Sequence, residues 1–174
     1  GRGVYSFCMC PGGFVVPAST GPEETVVNGM SPANRGSRWA NSGLVVELHP
    51  EDIPATGIKV EDPTSPLALM QWCEAFEHKS YLAANRSLRA PAQRMTDFVA
   101  RRHASTLPSS SYTMGLTSSD LHEWMPDFIT RRLSAGFRAF DRTTRGFLTG
   151  EAQLIGVESR TSSPVRIPRD RMTY

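Results

Sequence analysis

The sequence has very little lysine and no long hydrophobic run. Of its 19 basic residues only Lys59 and Lys79 are lysines, and the others are arginines. No apolar stretch approaches the roughly 18 residues that a membrane-spanning helix needs, so we expect no membrane contact. The net charge is only +2, and such a weak field argues against nucleic acid as a partner.

Cysteine is also scarce. The sequence contains three cysteines, and an odd number argues against the disulfide framework of a small secreted protein, which predicts a cytoplasmic location. The three cysteines and four histidines do not form the two closely spaced pairs that a structural zinc site uses. We therefore expect no metal site.

The sequence lacks the common catalytic motifs. It has no G-x-S-x-G elbow, no phosphate-binding P-loop and no H-E-x-x-H zinc motif. The dinucleotide fingerprint fails because Gly1 and Gly3 would require a glycine at position 6, where the sequence has Ser6. The chain begins without an initiator methionine or a signal-like start, so we expect an excerpt from a longer polypeptide.

Cys8 and Cys10 are the candidates for catalytic residues. They lie in a β-prone run, and on a regular strand residues i and i+2 face the same side with Cα atoms about 6.5 Å apart. A disulfide at that distance would be strained and easily reduced, as a redox pair requires. The alternatives are two small buried apolar side chains or a pair of metal ligands. We expect both thiols to be reduced and unbonded in the isolated domain, with no metal attached.

The order of the patterns predicts one α+β domain over residues 1–174. Its expected architecture is a small, mostly antiparallel or mixed β-sheet with a block of three to four α-helices inserted before the last strand. Residues 1–60 are β-rich, residues 65–142 are helical, and residues 147–170 supply a returning strand and a loop. The predicted strands are 4–7, 14–16, 25–28, 44–48 and 152–158.

Two longer helices are predicted from apolar spacing. Ser65 and Pro66 are typical of a helix start, and the first helix runs toward residue 85. Pro126 begins the second. The apolar faces of the two helices comprise Leu69, Trp72, Cys73 and Phe76 in the first and Ile129, Leu133, Phe137 and Phe140 in the second.

Shorter elements are predicted between these two helices. Met95, Phe98 and Val99 indicate a further helix, and residues 107–119 are expected to form a loop. Asp120 followed by Glu123 resembles a capping box. His122 lies in that first turn, where we expect a surface or capping residue. 

The sequence resembles a family of uncharacterised FAD-dependent dehydrogenases of bacteria and plastids. The resemblance rests on "GRGVYSFCMCPGG", "VNGMS" and "WANSGLVVEL" in the first half. In the second half it rests on "SYTMGLTSSDLHEWMP" and "GFLTGEAQLIGVESRTSSPVRIPRD". These motifs are long and cover nearly the whole chain. In this family they belong to the C-terminal, substrate-side domain of a flavoprotein that is distantly similar to tRNA-modifying flavoproteins.

The resemblance implies a function and a cofactor. It implies a substrate-side cap of an FAD-dependent oxidoreductase, which shapes the pocket over the flavin. The expected partners are the parent chain's own FAD-binding domain and a small-molecule substrate, with NADH or NADPH as a candidate reductant. Because the glycine-rich FAD segments are expected outside residues 1–174, we expect this fragment not to retain FAD and to be inactive by itself. The alternative is a non-catalytic module that recognises RNA or a protein partner.

Two polar loops hold the candidate substrate- or cofactor-contacting residues. Arginine forks and hydroxyl groups in the loop after the last strand suit an anionic substrate or the polar edge of a flavin. The alternative is a polar turn whose arginines pair with Glu158 and Asp170. A second loop, "NGMSPANR", is either a contact site or a capped turn. The candidates are Asn28 and Arg35 in the earlier loop and Arg160, Thr161, Ser162, Ser163 and Arg166 in the later one.

Overall fold

A computed structural model describes residues 3–103, 105–160 and 168–173. The described residues form seven strands, five α-helices and one 3-10 turn. In chain order they are β1 (Val4–Pro11), β2 (Phe14–Pro17), β3 (Val27–Met30), β4 (Ala40–Val46), the 3-10 turn (Pro50–Asp52), α1 (Ile53–Thr56), α2 (Ala68–Ala83), β5 (Ala90–Arg94), α3 (Met95–Ala100), β6 (Leu116–Ser118), α4 (Leu121–Trp124), α5 (Asp127–Thr143) and β7 (Gln153–Ile155).

The described strands form three small sheets. β1 pairs with β4, and β2 pairs with β3, both antiparallel. In the third sheet β5 lies in the middle, parallel to β6 and antiparallel to β7. This arrangement confirms the predicted α+β class with antiparallel and mixed pairing, although the strands are divided among three sheets.

Two strands lie where the sequence predicted helix or loop. β5 reads Ala-Pro-Ala-Gln-Arg and β6 reads Leu-Thr-Ser, and β6 falls in the predicted loop 107–119. Alanine and proline have low strand propensity, so no local pattern marks β5. Ala90 and Ala92 are fully buried, and tertiary packing imposes the extended conformation there.

The main hydrophobic core lies between the helices and the adjoining strands. The ring centroids of Trp72 and Phe76 on α2 lie 5.0 Å apart. The ring centroids of Phe98 on α3 and Phe137 on α5 lie 6.1 Å apart. Ile129 and Leu133 join this cluster from α5, as their spacing predicts. None of the helices in the described part of the chain has the length and apolar character of a membrane-spanning segment.

His122 is buried, and the expectation that it lies on the surface is wrong. Its Nδ1 atom lies 2.9 Å from Nε2 of Gln93, which is itself fully buried on β5. Gln93 lies 29 residues earlier in the chain. Its amide gives the ring nitrogen a hydrogen-bond partner, so the imidazole is buried without losing that hydrogen bond. The predicted capping box is also absent, since the Asp120 side chain does not cap α4 but bonds to His103 at 2.7 Å.

Candidate functional site

A cleft with a volume of about 1130 Å³ opens beside β4 and the segment that follows β7. Its apolar floor includes the half-buried ring of Trp39 and the core side chains of Trp72, Phe76 and Phe137, which are at most 5% exposed. Its polar lining comes from several strands and from the segment after β7. These include Cys10, Asn28, Asn41, Gln153, Glu158 and Ser159.

Glu158 is the most unusual group in the cleft. It is half-buried, and burial raises its pKa above the usual value of 4.5. No hydrogen bond or ion pair joins its carboxylate to another described residue, a conclusion that leaves residues 161–167 aside. A carboxylate that is held in a cleft with a raised pKa is available to a ligand or to a proton.

Gly43 on β4 makes the position of Glu158 sterically possible. A Cβ atom at residue 43 would lie 2.7 Å from Oε2 of Glu158 and 2.6 Å from Cε1 of Phe7. Both distances are shorter than real carbon contacts, so any larger residue would displace the carboxylate or the ring. The glycine therefore sets the width of this part of the cleft.

Two amide atoms in the cleft wall are buried without a hydrogen-bond partner among the described residues. They are Nδ2 of Asn41 and Oε1 of Gln153. The other amide atom of Gln153, Nε2, donates to the backbone carbonyls of Pro108 and Ser109 at 3.3 and 3.1 Å. Because an unsatisfied buried polar atom costs about 1–3 kcal/mol, such atoms concentrate where function requires them.

The two N-terminal cysteines occupy different environments. Cys10 is buried and lines the cleft, whereas Cys8 is exposed. Phe7 pairs with Gly43 and Cys10 pairs with Asn41, so β1 has one residue more than β4 in this interval. This is a β-bulge, and Cys8 has a positive φ of 47° within it. The prediction that the cysteines share one strand face is therefore wrong, since it assumed regular alternation.

The environment of the third cysteine does not favour a reactive thiol either. Cys73 packs against the main core from α2, as its place on the apolar face predicts. Burial, aided by nearby Glu77, raises the pKa of its thiol to about 11. In the described ranges, no group of three or more cysteine, histidine or acidic residues could hold a metal ion.

The candidates of the earlier loop have separate positions. Asn28 lies on β3 at the exposed edge of the cleft, and its Oδ1 accepts a hydrogen bond from the Gly29 N–H at 2.7 Å. Arg35 lies in an exposed turn with a φ of 46°, where its N–H donates to the Pro32 carbonyl at 3.0 Å. The residues that line the cleft include Asn28 but not Arg35.

Arg160 lies beside the cleft and binds an acid from α2. Its Nε donates to Oε1 of Glu77 at 2.8 Å, and its Nη2 donates to Oε2 of the same carboxylate. Glu77 is fully buried, and the Ser159 hydroxyl donates to it as well. The observed partner is thus neither Glu158 nor Asp170. The other candidates of that loop, Thr161, Ser162, Ser163 and Arg166, lie outside the described residues.

Comparison with known proteins relates this fold to flavoproteins. The family described as "FAD-dependent protein, C-terminal domain-like" matches residues 1–161. The chain belongs to this family. The resemblance found in the sequence motifs is confirmed, and the family associates the domain with an FAD-dependent protein.

A relative from Clostridium beijerinckii, named "Uncharacterized protein", is 39% identical to this chain over 171 residues. The match covers 97% of this chain but only 31% of that protein. The chain therefore spans about a third of the length of the curated relative it matches.

The described residues do not fit the pyrophosphate of FAD. That group needs free backbone N–H groups at a helix N-terminus, reached through a glycine-rich turn. The two longer described helices begin after Leu67 and Pro126, without a glycine turn, and Asp127 adds negative charge to the first turn of α5. The dinucleotide part of FAD has no cradle in this part of the chain.

Sequence reasoning missed Asn41, Gln153 and Glu77 as members or supports of the site. Glu77 had a usable signal, because it stands four residues after Cys73 on the apolar face of α2. An acid on such a face predicts a buried ion pair. Asn41 and Gln153 had none, since isolated amides occur throughout polar loops and strand ends.

Proposed function

We propose that this domain forms the substrate-side wall of the active site in an FAD-dependent oxidoreductase. Family membership supports the link to FAD, and the cleft supports the assignment of this domain as a wall of the substrate site. The observation that carries the proposal is the half-buried carboxylate of Glu158, which faces a cleft with an apolar floor. Clefts with apolar walls and a few convergent polar groups are typical of small-molecule sites.

The flavin would be held by another part of the parent chain, its own FAD-binding domain. Bound FAD supplies the group that exchanges electrons with the substrate, with NADH or NADPH as the proposed reductant. The residues of this chain bind and orient the substrate. The apolar floor excludes water, Glu158 contacts a polar group of the substrate, and the ion pair of Arg160 with Glu77 holds the wall in place.

The test uses the full-length protein with its flavin bound. We expect NADH or NADPH to bleach the flavin absorbance without oxygen, and air to restore it. Glu158→Gln should change the flavin spectrum or its rate of reoxidation, because the removed charge lies in the cleft. Glu123→Gln removes an equivalent charge from exposed residue 123 outside the cleft lining, and it should behave like the wild type.

The opposite results would favour a recognition module. A flavin that neither pyridine nucleotide reduces, together with a salt-dependent RNA mobility shift, would contradict the oxidoreductase proposal.

We also propose a cytoplasmic location for the protein, because reduced cysteines suit that compartment.

A further inference from the structure

The charges that line the cleft are all of one sign. Glu47, Glu151 and Glu158 are its charged residues, and no lysine, arginine or histidine lines it among the described residues. This is unexpected for a chain whose net charge is +2. An anion placed in the cleft would meet carboxylates, and no described cation would compensate for its desolvation.

Two arginines that flank the lining in sequence have partners of their own. The guanidinium of Arg38 lies 4.3 Å from the centroid of the Trp39 ring, and Arg160 binds Glu77. Glu47 has a partner in His49, at 2.8 Å. Glu158 has none among the described residues, and it is the half-buried acid of the three. Among the described residues no cation neutralises Glu158, and a cationic group of a ligand would do so.

We infer that the cleft takes a substrate with a protonated amine or a similar cationic group, and that Glu158 is the residue that selects it. This inference rests on the proposed function for the view that the cleft binds substrate. It differs from the anionic substrate suggested by the loop after the last strand, most of whose candidate residues lie outside the described ranges. The half-buried apolar side chains of Trp39 and Leu44 in the lining would take the hydrocarbon part of such a molecule.

Three probes of one shape test the inference on the full-length, flavin-bound protein. Benzylamine is cationic at neutral pH, benzyl alcohol is neutral, and benzoate is anionic. Isothermal titration calorimetry should show that benzylamine binds about tenfold or more tightly than either of the others, as expected for a charge-assisted hydrogen bond. Glu158→Gln should remove this preference, whereas Glu123→Gln should retain it.

Several outcomes would overturn the inference. They are no saturable binding of benzylamine, equal or tighter binding of benzoate, and an unchanged amine preference in Glu158→Gln. If Glu158→Gln does not fold, Glu158→Asp retains the charge and should retain the preference, and loss of the preference in a folded Glu158→Asp protein is an equally negative result.

The flavin spectrum separates this inference from the proposed function. If benzylamine binds through Glu158 and perturbs the flavin absorbance, both stand. If it binds through Glu158 and leaves the flavin absorbance unchanged, the amine specificity stands and the position of the cleft beside the flavin is refuted.

Discussion

Glu77 is a charged residue in the interior of the molecule, and its environment explains how it is tolerated. Its carboxylate is fully buried and accepts hydrogen bonds from Ser159 and from two nitrogens of Arg160. The same arginine donates to the Thr20 hydroxyl at 3.3 Å. The ion pair thus ties α2 to the segment after β7, which is the segment that brings Glu158 into the cleft.

We expect Arg160→Ala to reduce the free energy of unfolding by about 3 kcal/mol, because it leaves the buried carboxylate of Glu77 without its cation. Urea unfolding of the domain measures this loss. The matched control is Arg145→Ala, at an exposed position after α5, which should change stability by no more than about 0.5 kcal/mol. Equal effects of the two substitutions would show that the pair contributes little.

The raised pKa of Glu158 predicts a pH-dependent stability difference. Burial disfavours its charged form, so the folded pKa lies above the usual value of 4.5. The penalty is absent below that value and grows as the pH rises through the folded pKa. The difference in free energy of unfolding between Glu158→Gln and the wild type should therefore become more positive from pH about 4 to about 8.

Urea unfolding at a series of pH values measures this difference. The exposed Glu123→Gln variant is the control, and its difference from the wild type should not follow the same curve. A constant difference for Glu158→Gln over the whole pH range would contradict the assignment.

Gly43 is expected to tolerate no side chain. Its added Cβ would lie within 2.6 Å of Phe7 and 2.7 Å of Glu158, so Gly43→Ala should reduce stability by about 1–3 kcal/mol through overpacking. Gly36→Ala is the matched control, because the nearest atom to its Cβ would be 3.7 Å away, an ordinary contact. Thermal unfolding compares the two, and similar melting temperatures would contradict the role given to Gly43.

At the scale of the element, β1 shows how one inserted residue changes the chemistry of a strand. The bulge between Phe7 and Cys10 turns Cys8 outward and leaves Cys10 in the cleft wall, where its thiol donates to the Cys8 carbonyl at 3.1 Å. Bulges are common next to active sites, because they redirect a side chain without ending the strand.

We expect the three cysteines to react with iodoacetamide at different rates. Cys8 should be alkylated in the folded protein, Cys10 should react only after denaturation because it is buried, and the half-buried Cys73 should react more slowly than Cys8. The high pKa of Cys73, about 11, slows its reaction further. Mass spectrometry of alkylated peptides measures this, and Cys8→Ser should remove the native label.

Two results would contradict this assignment. Fast native labelling of Cys10 would place it outside the core, and a mass lower by two hydrogens in fresh protein would reveal a disulfide and favour redox chemistry.

At the scale of the whole molecule, the described residues form a cleft but no cradle for a dinucleotide. The family associates it with FAD, while its helix N-termini do not fit the FAD pyrophosphate. The chain covers 31% of its Clostridium beijerinckii relative. We propose that another part of the parent protein binds the cofactor and that this domain contacts the substrate.

We expect isolated residues 1–174 to bind FAD weakly or not at all. A fluorescence titration of FAD with the isolated domain should show no saturation, whereas the full-length protein should retain a yellow flavin through purification. A stoichiometric flavin on the isolated domain would contradict this prediction.

The sequence by itself determined the α+β class, the two longer helices and the family. Helices α2 and α5 were predictable because their apolar residues recur every three to four positions, a property of neighbours in the chain. The family was predictable because its motifs are long. The same local spacing predicted that Trp72, Phe76 and Phe137 lie in the core.

Only the tertiary structure decided how the site is built. The pairing of Glu77 with Arg160, the burial of His122 against Gln93 and the approach of Glu158 to Gly43 each join residues far apart in the chain. The bulge in β1 and the strand conformation of β5 likewise depend on the partner strands β4, β6 and β7. Local propensity cannot encode such contacts, because their energies come from burial and from partners that arrive only when the chain has folded.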